Sequence, residues 1–346
     1  MRGFVLFLMC AVLCLASQRA ARSRQLQALG CRGKQKMSWR DVRVAMAIDD
    51  GTNEIEYYYP LVRLRELGAR VTVLGAGRTH FKGEDGITLR ADKTFDAVKP
   101  EDFDALYVPG GSGPANLRRR QEVIEFTRVL MERGKVLAGQ CHGQQVLMDA
   151  GALKGRTSAG AVSMAKELKK AGYQTVAVGA WRDGPIVTGR YPDDLPEFMQ
   201  LLREAMEDVL RMEPAREISL KGRAVGVART DCTDYYQFST VLFRLQEAGA
   251  ETIILGDRPG KARMSAEGFP NGLSWKWYEA KATFDSADAM GVEALVIPTG
   301  VSDSGTLRQL SDKLRSQGKL VLVVKKNEDL PKFLRSLLKQ LSLSSS

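Results

Sequence analysis

The apolar positions of the chain fall into two series. From Val42 the run VRVAMAI reads as a strand, and a polar turn follows. An apolar-periodic stretch over residues 54–67 reads as a helix, and after Gly68 comes a second β-rich run, RVTVLG. Strand, helix and strand in that order predict a βαβ unit of a parallel sheet. The pattern restarts at Arg223. Residues 52–69 (TNEIEYYYPLVRLRELGA) align with residues 233–250 (TDYYQFSTVLFRLQEAGA) at an offset of 181. Residues 94–111 (TFDAVKPEDFDALYVPGG) align with residues 283–300 (TFDSADAMGVEALVIPTG) at 189, and Gly134 with Gly318 at 184. The Asp-Leu-Pro that opens each closing helix, at 194 and 329, matches at only 135. The second copy therefore lacks 49 residues between its last strand and its final helix. An internal period of this kind predicts two related units.

The missing stretch is where the first copy carries its candidate chemistry. An apolar strand over residues 135–139 runs into Gly139-Gln140-Cys141-His142-Gly143, and a helical stretch follows over residues 144–150. A Gly-x-nucleophile-x-Gly turn between strand and helix is a nucleophile elbow, which exposes the side chain at the carboxyl end of the sheet. A thiol there, at a helix N-terminus, is expected to be held toward the thiolate. Asp49, Asp50 and Gly51 end the first strand, and Pro109, Gly110 and Gly111 end the strand before the elbow. Ligands of open α/β sheets bind outside such strand ends. Gly110 and Gly111 are expected to offer N–H groups to an oxyanion together with the N–H of His142.

On these residues the chain resembles the PfpI family of the class I glutamine-amidotransferase-like superfamily, which also holds the parkinsonism-associated protein deglycase and glutathione-independent glyoxalases. The segments that carry the resemblance are EYYYPLVRLRELG, TFDAVKPEDFDALYVPGG, GQCHGQQVLMDAGALKGR and VTGRYPDDLPEF. The resemblance implies an α/β fold: a flavodoxin-like α/β/α sandwich with a mostly parallel sheet, here duplicated with a truncated second copy. It implies dimers or higher oligomers and a reactive Cys141. No metal and no cofactor are expected, and the resemblance leaves peptidase, glyoxalase, deglycase, chaperone and redox-sensing activities open.

Two positions depart from the family pattern. The acidic residue that contacts the cysteine in the family falls here on Asn53, and a carboxylate that orients the histidine from a neighbouring subunit falls on Ala115. An amide can donate a hydrogen bond but cannot shuttle a proton, so Asn53→Glu is expected to raise glyoxalase-type turnover. Asp49, Asp50, Glu54 or Glu56 can substitute, Asp50 being the foremost. Glu54 and Glu56 read as a solvated helix start. In the second copy the positions of Cys141 and His142 hold Lys325 and Lys326, and Cys232 aligns with Gly51, so that copy reads as catalytically dead with Cys232 structural. Tyr235, Tyr236, Trp275 and Trp277 read as core aromatics rather than a pocket wall. The second copy is expected to pack where the family dimerises.

Charge and cysteine placement add a leader. The chain carries 51 Lys and Arg against 41 Asp and Glu, a net of +10, but eight basic residues precede the first acidic one, Asp41. The other 306 residues hold 43 basic and 41 acidic groups, which excludes nucleic-acid binding through bulk charge. The apolar run over residues 4–16 is too short for a membrane span and predicts a secretory signal peptide at 1–17. The acid-free segment 18–40 predicts a transit-like or linker segment, and the mature form is expected to hold no membrane anchor. A PfpI-like domain over 41–214 and a degenerate one over 215–346 complete the organisation. Cys10, Cys14 and Cys31 lie in the leader, leaving Cys141 and Cys232. Two thiols make no disulfide framework, and with only His80 and His142 no zinc spacing exists. So few thiols suit a reducing destination, a plastid or other organelle reached through the secretory route.

Two function classes follow. One is a cysteine-dependent enzyme acting on peptides or small reactive carbonyls, with Cys141 as nucleophile and His142 beside it. The other is a non-catalytic or redox-sensing protein whose Cys141 oxidises.

Overall fold

The first sheet is built around β1 (Arg43–Ile48), whose every residue after Arg43 is buried. Helix α1 (Glu54–Leu67) returns the chain to β2 (Arg70–Gly75), which pairs parallel to β1 in the register Arg43 to Arg70. A two-residue strand β3 (Lys93–Thr94) extends that side, and β4 (Ala105–Val108) and β5 (Val136–Gln140) the other, with helix α2 (Gln121–Glu132) between them. After β5 come Cys141 and the short helix α3 (Gln144–Asp149). The sheet closes with an antiparallel pair, β6 (Ala180–Asp183) and β7 (Ile186–Gly189), followed by helix α4 (Leu195–Val209). The strand order is β6-β7-β5-β4-β1-β2-β3, parallel except at β6. This is the expected mostly parallel α/β fold with helices on the sheet faces.

A second, five-stranded parallel sheet repeats the central part of that order. It comprises β8 (Ala224–Arg229), β9 (Glu251–Gly256), β12 (Ala282–Thr283), β13 (Ala294–Ile297) and β14 (Leu320–Val323), arranged β12-β9-β8-β13-β14. Between β9 and β12 stands a hairpin of β10 (Gly260–Ala266) and β11 (Phe269–Ala280). Helices α5 (Tyr235–Glu247), α6 (Gly305–Ser316) and α7 (Leu330–Leu343) complete this half. The pairings repeat at the sequence offsets: Val44 faces Ala105 as Val225 faces Ala294, and Ala105 faces Val136 as Ala294 faces Leu320.

These coordinates are a computed structural model that describes residues 37–266, 269–287, 290–325 and 329–344. The signal-peptide reading and nearly all of the basic segment fall outside the described residues, as do Lys326 and the side chains of Trp275 and Trp277. Residues 38–346 form one compact unit. Within it α1 and α5 pack against each other. Arg63 donates from Nε to Glu247 Oε1 at 2.8 Å, and Arg244 donates from Nε to Glu66 Oε2 at 2.9 Å. Both pairs relate by the same offset of 181, so each residue meets its counterpart's partner, the pattern of an isologous two-fold interface. Among the described residues no helix is long and apolar enough to cross a membrane.

Candidate active site

Cys141 follows the last residue of β5 and takes a left-handed backbone conformation, φ 48°. That conformation strains a residue with a side chain and persists only where the surroundings enforce it. They do so here by contact: a side chain on Gly143 would clash with the Val108 carbonyl, so only glycine lets the turn close against β4. Gln140 and Gln144, both buried, tie the turn to its neighbours. Gln140 donates to the Tyr191 carbonyl at 2.6 Å, and Gln144 donates to the Ala159 and Gly189 carbonyls at 2.8 and 2.9 Å.

The acidic partner of this thiol is Glu56. It is 1% exposed, and its Oε2 accepts a hydrogen bond of 2.6 Å from the Gly110 N–H. A Cβ added to Gly110 would lie 2.6 Å from both Cys141 Cβ and Glu56 Oε2, so thiol and carboxyl flank one glycine. Pro60 helps to fix this position. Lacking an N–H, it cannot bond the Glu56 carbonyl four residues back, and the buried Tyr107 hydroxyl donates to that carbonyl instead, at 2.6 Å. Burial pushes the Glu56 carboxyl up to about 8. The reading of Glu54 and Glu56 as a solvated helix start is therefore corrected. Glu54 is fully buried as well, accepting from the Asp85 N–H at 2.9 Å, and burial followed by the neighbouring Asp85 raises it to about 8.

Asn53 caps α1 rather than meeting the thiol. Its Oδ1 accepts from the Glu56 N–H at 3.2 Å and its Nδ2 donates to Glu84 at 2.9 Å. A carboxylate placed here would face Glu84, so the expected gain from Asn53→Glu is withdrawn. Asn53→Ala should instead cost about 1 kcal/mol of stability, the usual worth of such a cap, read as a lower midpoint in urea unfolding. Asp50 also leaves the site. Its carboxylate accepts from Lys82 N–H at 2.9 Å and pairs with Arg78, outside the cavity. Asp49 is buried one residue earlier and accepts from the Asp50 N–H at 2.7 Å. The Gly110 N–H, expected as an oxyanion donor, is taken by Glu56. The N–H groups that face the sulfur belong to His142 and Gly111.

His142 bridges two groups. Its Nδ1 lies 3.4 Å from Cys141 Sγ and its Nε2 lies 3.1 Å from Ser163 Oγ. Ser163 thus occupies the orienting place that the family pattern gives to a carboxylate; Ala115, in the turn of helix Pro114–Leu117, does not line the cavity. Burial first, and then the Glu56 carboxylate, push the Cys141 thiol above its ordinary value, while the two N–H groups pull the other way. This corrects the expectation of a helix-stabilised thiolate: α3 has only six residues and begins after a 3₁₀ turn, so its dipole cannot offset burial. Cys232, by contrast, is exposed. At pH 7 iodoacetamide should therefore label Cys232 before Cys141, with Cys141 gaining more above pH 8; peptide mapping by mass spectrometry reads both.

The thiol opens into a cavity of about 320 Å³. The first half contributes Glu56, Glu84, Asp85, Gly111, His142 and Asp193 among others, and the second half contributes Tyr235 and Tyr278. Tyr235, read from sequence as core, is a wall of this site. Among the described residues no cluster of His, Cys, Asp and Glu is arranged to hold a metal ion.

The second half repeats the frame without the chemistry. Asp234 caps α5 through the Gln237 N–H, as Asn53 caps α1. Gln237 stands where Glu56 does, and its Oε1 accepts from the Thr299 N–H as Glu56 accepts from Gly110. Cys232 has φ 70° where Gly51 has φ 80°, which makes it a turn residue on the surface. Lys325 follows β14 at the place of Cys141 and is exposed.

Residues 42–205 match the DJ-1/PfpI family. A deglycase of Thermococcus kodakarensis is 37% identical over 166 residues, 47% of this chain and 100% of that protein. A Bacillus subtilis protein named as a candidate cysteine protease is 36% identical over 158 residues, 45% of this chain and 93% of its own. A solved two-domain protein of Anabaena variabilis, with DJ-1/ThiJ/PfpI-like and ferritin-like domains, is 32% identical across 49% of this chain and 50% of its own, with a TM-score of 0.46. The chain belongs to the DJ-1/PfpI family.

Proposed function

We propose that this protein is a cysteine-dependent enzyme of small reactive carbonyls, of glyoxalase or deglycase type. The observation that carries the reading is the placing of Glu56 and Cys141 on either side of Gly110, at one cavity. Cys141 Sγ passes its proton to His142 Nδ1 and adds to the aldehyde carbon, forming a C–S bond while the carbonyl oxygen takes a proton. The Glu56 carboxylate then removes the hydrogen of that carbon and returns it to the neighbouring carbonyl carbon, while the proton of the new hydroxyl passes to the neighbouring carbonyl oxygen. The product is a hydroxy-acyl thioester, which water hydrolyses to the hydroxy acid and free thiol. The balance needs only water. Ser163 holds the His142 ring, so Ser163→Ala should slow the thiol addition and shift its pH profile while leaving the fold intact.

Peptide hydrolysis is supported less, because His142 meets a serine rather than a carboxylate. A redox sensor requires an accessible, low-pKa thiol, and Cys141 is half-buried with a raised one. Incubating the purified protein with methylglyoxal and, separately, with casein separates these readings. Hydroxy-acid formation without casein cleavage supports the carbonyl enzyme; cleavage of casein alone overturns it.

We further propose that residues 215–346 are a degenerate copy of residues 41–214, placed in cis where a second subunit would pack. The leader reading, with entry to the secretory route and an organelle beyond it, is tested by sequencing the N-terminus of native protein. A start between residues 18 and 41 supports it, and an intact Met1 contradicts it.

A further inference from the structure

We infer that the second half completes the substrate site, and that this composite cavity selects a small carbonyl compound carrying a positive charge. The inference rests on the carbonyl-enzyme reading and names its substrate class: an aldehyde or aldehyde adduct bearing an ammonium or guanidinium group.

The cavity that opens from Cys141 is lined by four carboxyl side chains, those of Glu56, Glu84, Asp85 and Asp193, and, among the described residues, by no lysine or arginine. Arg78 pairs with Asp49 and Asp50, and Arg190 stacks on Tyr191 and pairs with Asp194, so both are engaged elsewhere. Glu84 is held by the neutral amide of Asn53 and Asp85 lies beside Glu54, and among the described residues neither pairs with a cation. Asp193, at the exposed side of the cavity, has no ion pair among the described residues. Negative charge gathered in a partly closed cleft draws in cations and repels anions, and Glu56, which keeps its proton to about pH 8, adds to it only above that.

Tyr235 and Tyr278 add the second element of cation recognition. Both are buried, at 4% and 5% exposure, and their ring centroids stand 5.9 Å apart at 45°. Aromatic rings beside carboxylates bind cations through their negative faces while excluding water. Tyr235 stands at the α5 position that corresponds to Glu54 in α1. Packing α5 against α1 therefore brings an aromatic wall to the site of the active half.

The test uses the full chain and the thiol itself. Cys141 is modified with three methanethiosulfonates that differ in charge: a trimethylammonium-ethyl reagent, a sulfonato-ethyl reagent and the neutral methyl reagent. In each case the thiolate attacks the sulfenyl sulfur, a mixed disulfide forms and methanesulfinate leaves. Peptide mapping follows Cys141 separately from the other thiols. At low salt the cationic reagent should react about tenfold or more faster than the anionic one, and the ratio should narrow as salt rises past about 0.15 M. Asp193→Asn and Asp85→Asn should each narrow it further. Tyr235→Leu should slow the cationic reagent alone, with circular dichroism confirming the fold, and the exposed Asp193→Asn carries the test if that variant does not fold. Equal rates for both charges, with the neutral reagent reacting, overturn the charge selection alone. A preserved ratio without methylglyoxal turnover overturns the carbonyl-enzyme reading alone. A Cys141 that reacts with none of the three overturns both.

Discussion

Glu56→Gln should lower turnover of a small oxo-aldehyde by about 10²–10⁴-fold, the usual contribution of one positioned acid–base group. The amide keeps the shape and can still accept from the Gly110 N–H, so the loss isolates proton transfer from structure. Gln237 supplies the precedent, since it makes the same backbone contact in the second half. In the wild type, activity should rise as pH passes about 8, where burial has moved the ionisation of Glu56 from its ordinary 4.5. Stability should move the opposite way. Folded Glu56 keeps its proton to about pH 8, whereas the unfolded side chain releases it near 4.5. Between those values the folded state binds the extra proton, so this group's contribution to stability declines as pH rises. Glu56→Gln removes that decline, and the variant should melt above the wild type at pH 9 while being far less active. Lower activity together with a lower melting temperature at pH 9 would point to a structural role instead.

The second large effect lies between the halves. Arg63 is 1% exposed and holds Glu66, Glu217 and Glu247, and Arg244 shares Glu66 and Glu217 with it. Buried carboxylates are tolerated when paired and costly when the partner is lost. Arg63→Ala should therefore destabilise the protein by about 3–5 kcal/mol, and Arg244→Ala should act in the same direction. Because the two arginines share partners, the double variant should lose less than the sum. Urea unfolding of the three variants measures this. Simple additivity, or a loss for Arg63→Ala no larger than an exposed pair's 1 kcal/mol or so, would contradict a shared buried network.

The frame of the protein was legible because strands and turns are local. The offsets of 181, 189 and 184 between the two halves reappear as matching strand registers, and Cys141 stands between β5 and α3 as its flanking glycines require. The site's partners were less legible because they depend on what covers α1. Read alone, Glu54 and Glu56 look like the charged start of a helix with one wet face. Helix α1 has no wet face: ten of its fourteen residues are buried, packed on the sheet on one side and on α5 on the other. The signal was present in EYYYP, a helix start with aromatic residues all round, which implies burial on every side. An acid inside it cannot be solvated. Asn53 was misplaced for a related reason, since an N-cap and a site residue at a strand end look alike until the side chain's direction is known. Ser163 gave no signal, because a single serine 21 residues beyond His142 meets it only through tertiary folding.

The central claim, a Cys141 nucleophile served by Glu56, is tested most directly by intact-mass and product analysis of methylglyoxal reactions with three proteins side by side. The wild type should form hydroxy acid with no adduct accumulating. Glu56→Gln should accumulate a methylglyoxal adduct on Cys141 and form little product, and Cys141→Ser should do neither. Product formation by Cys141→Ser, or undiminished turnover by Glu56→Gln, would contradict the account.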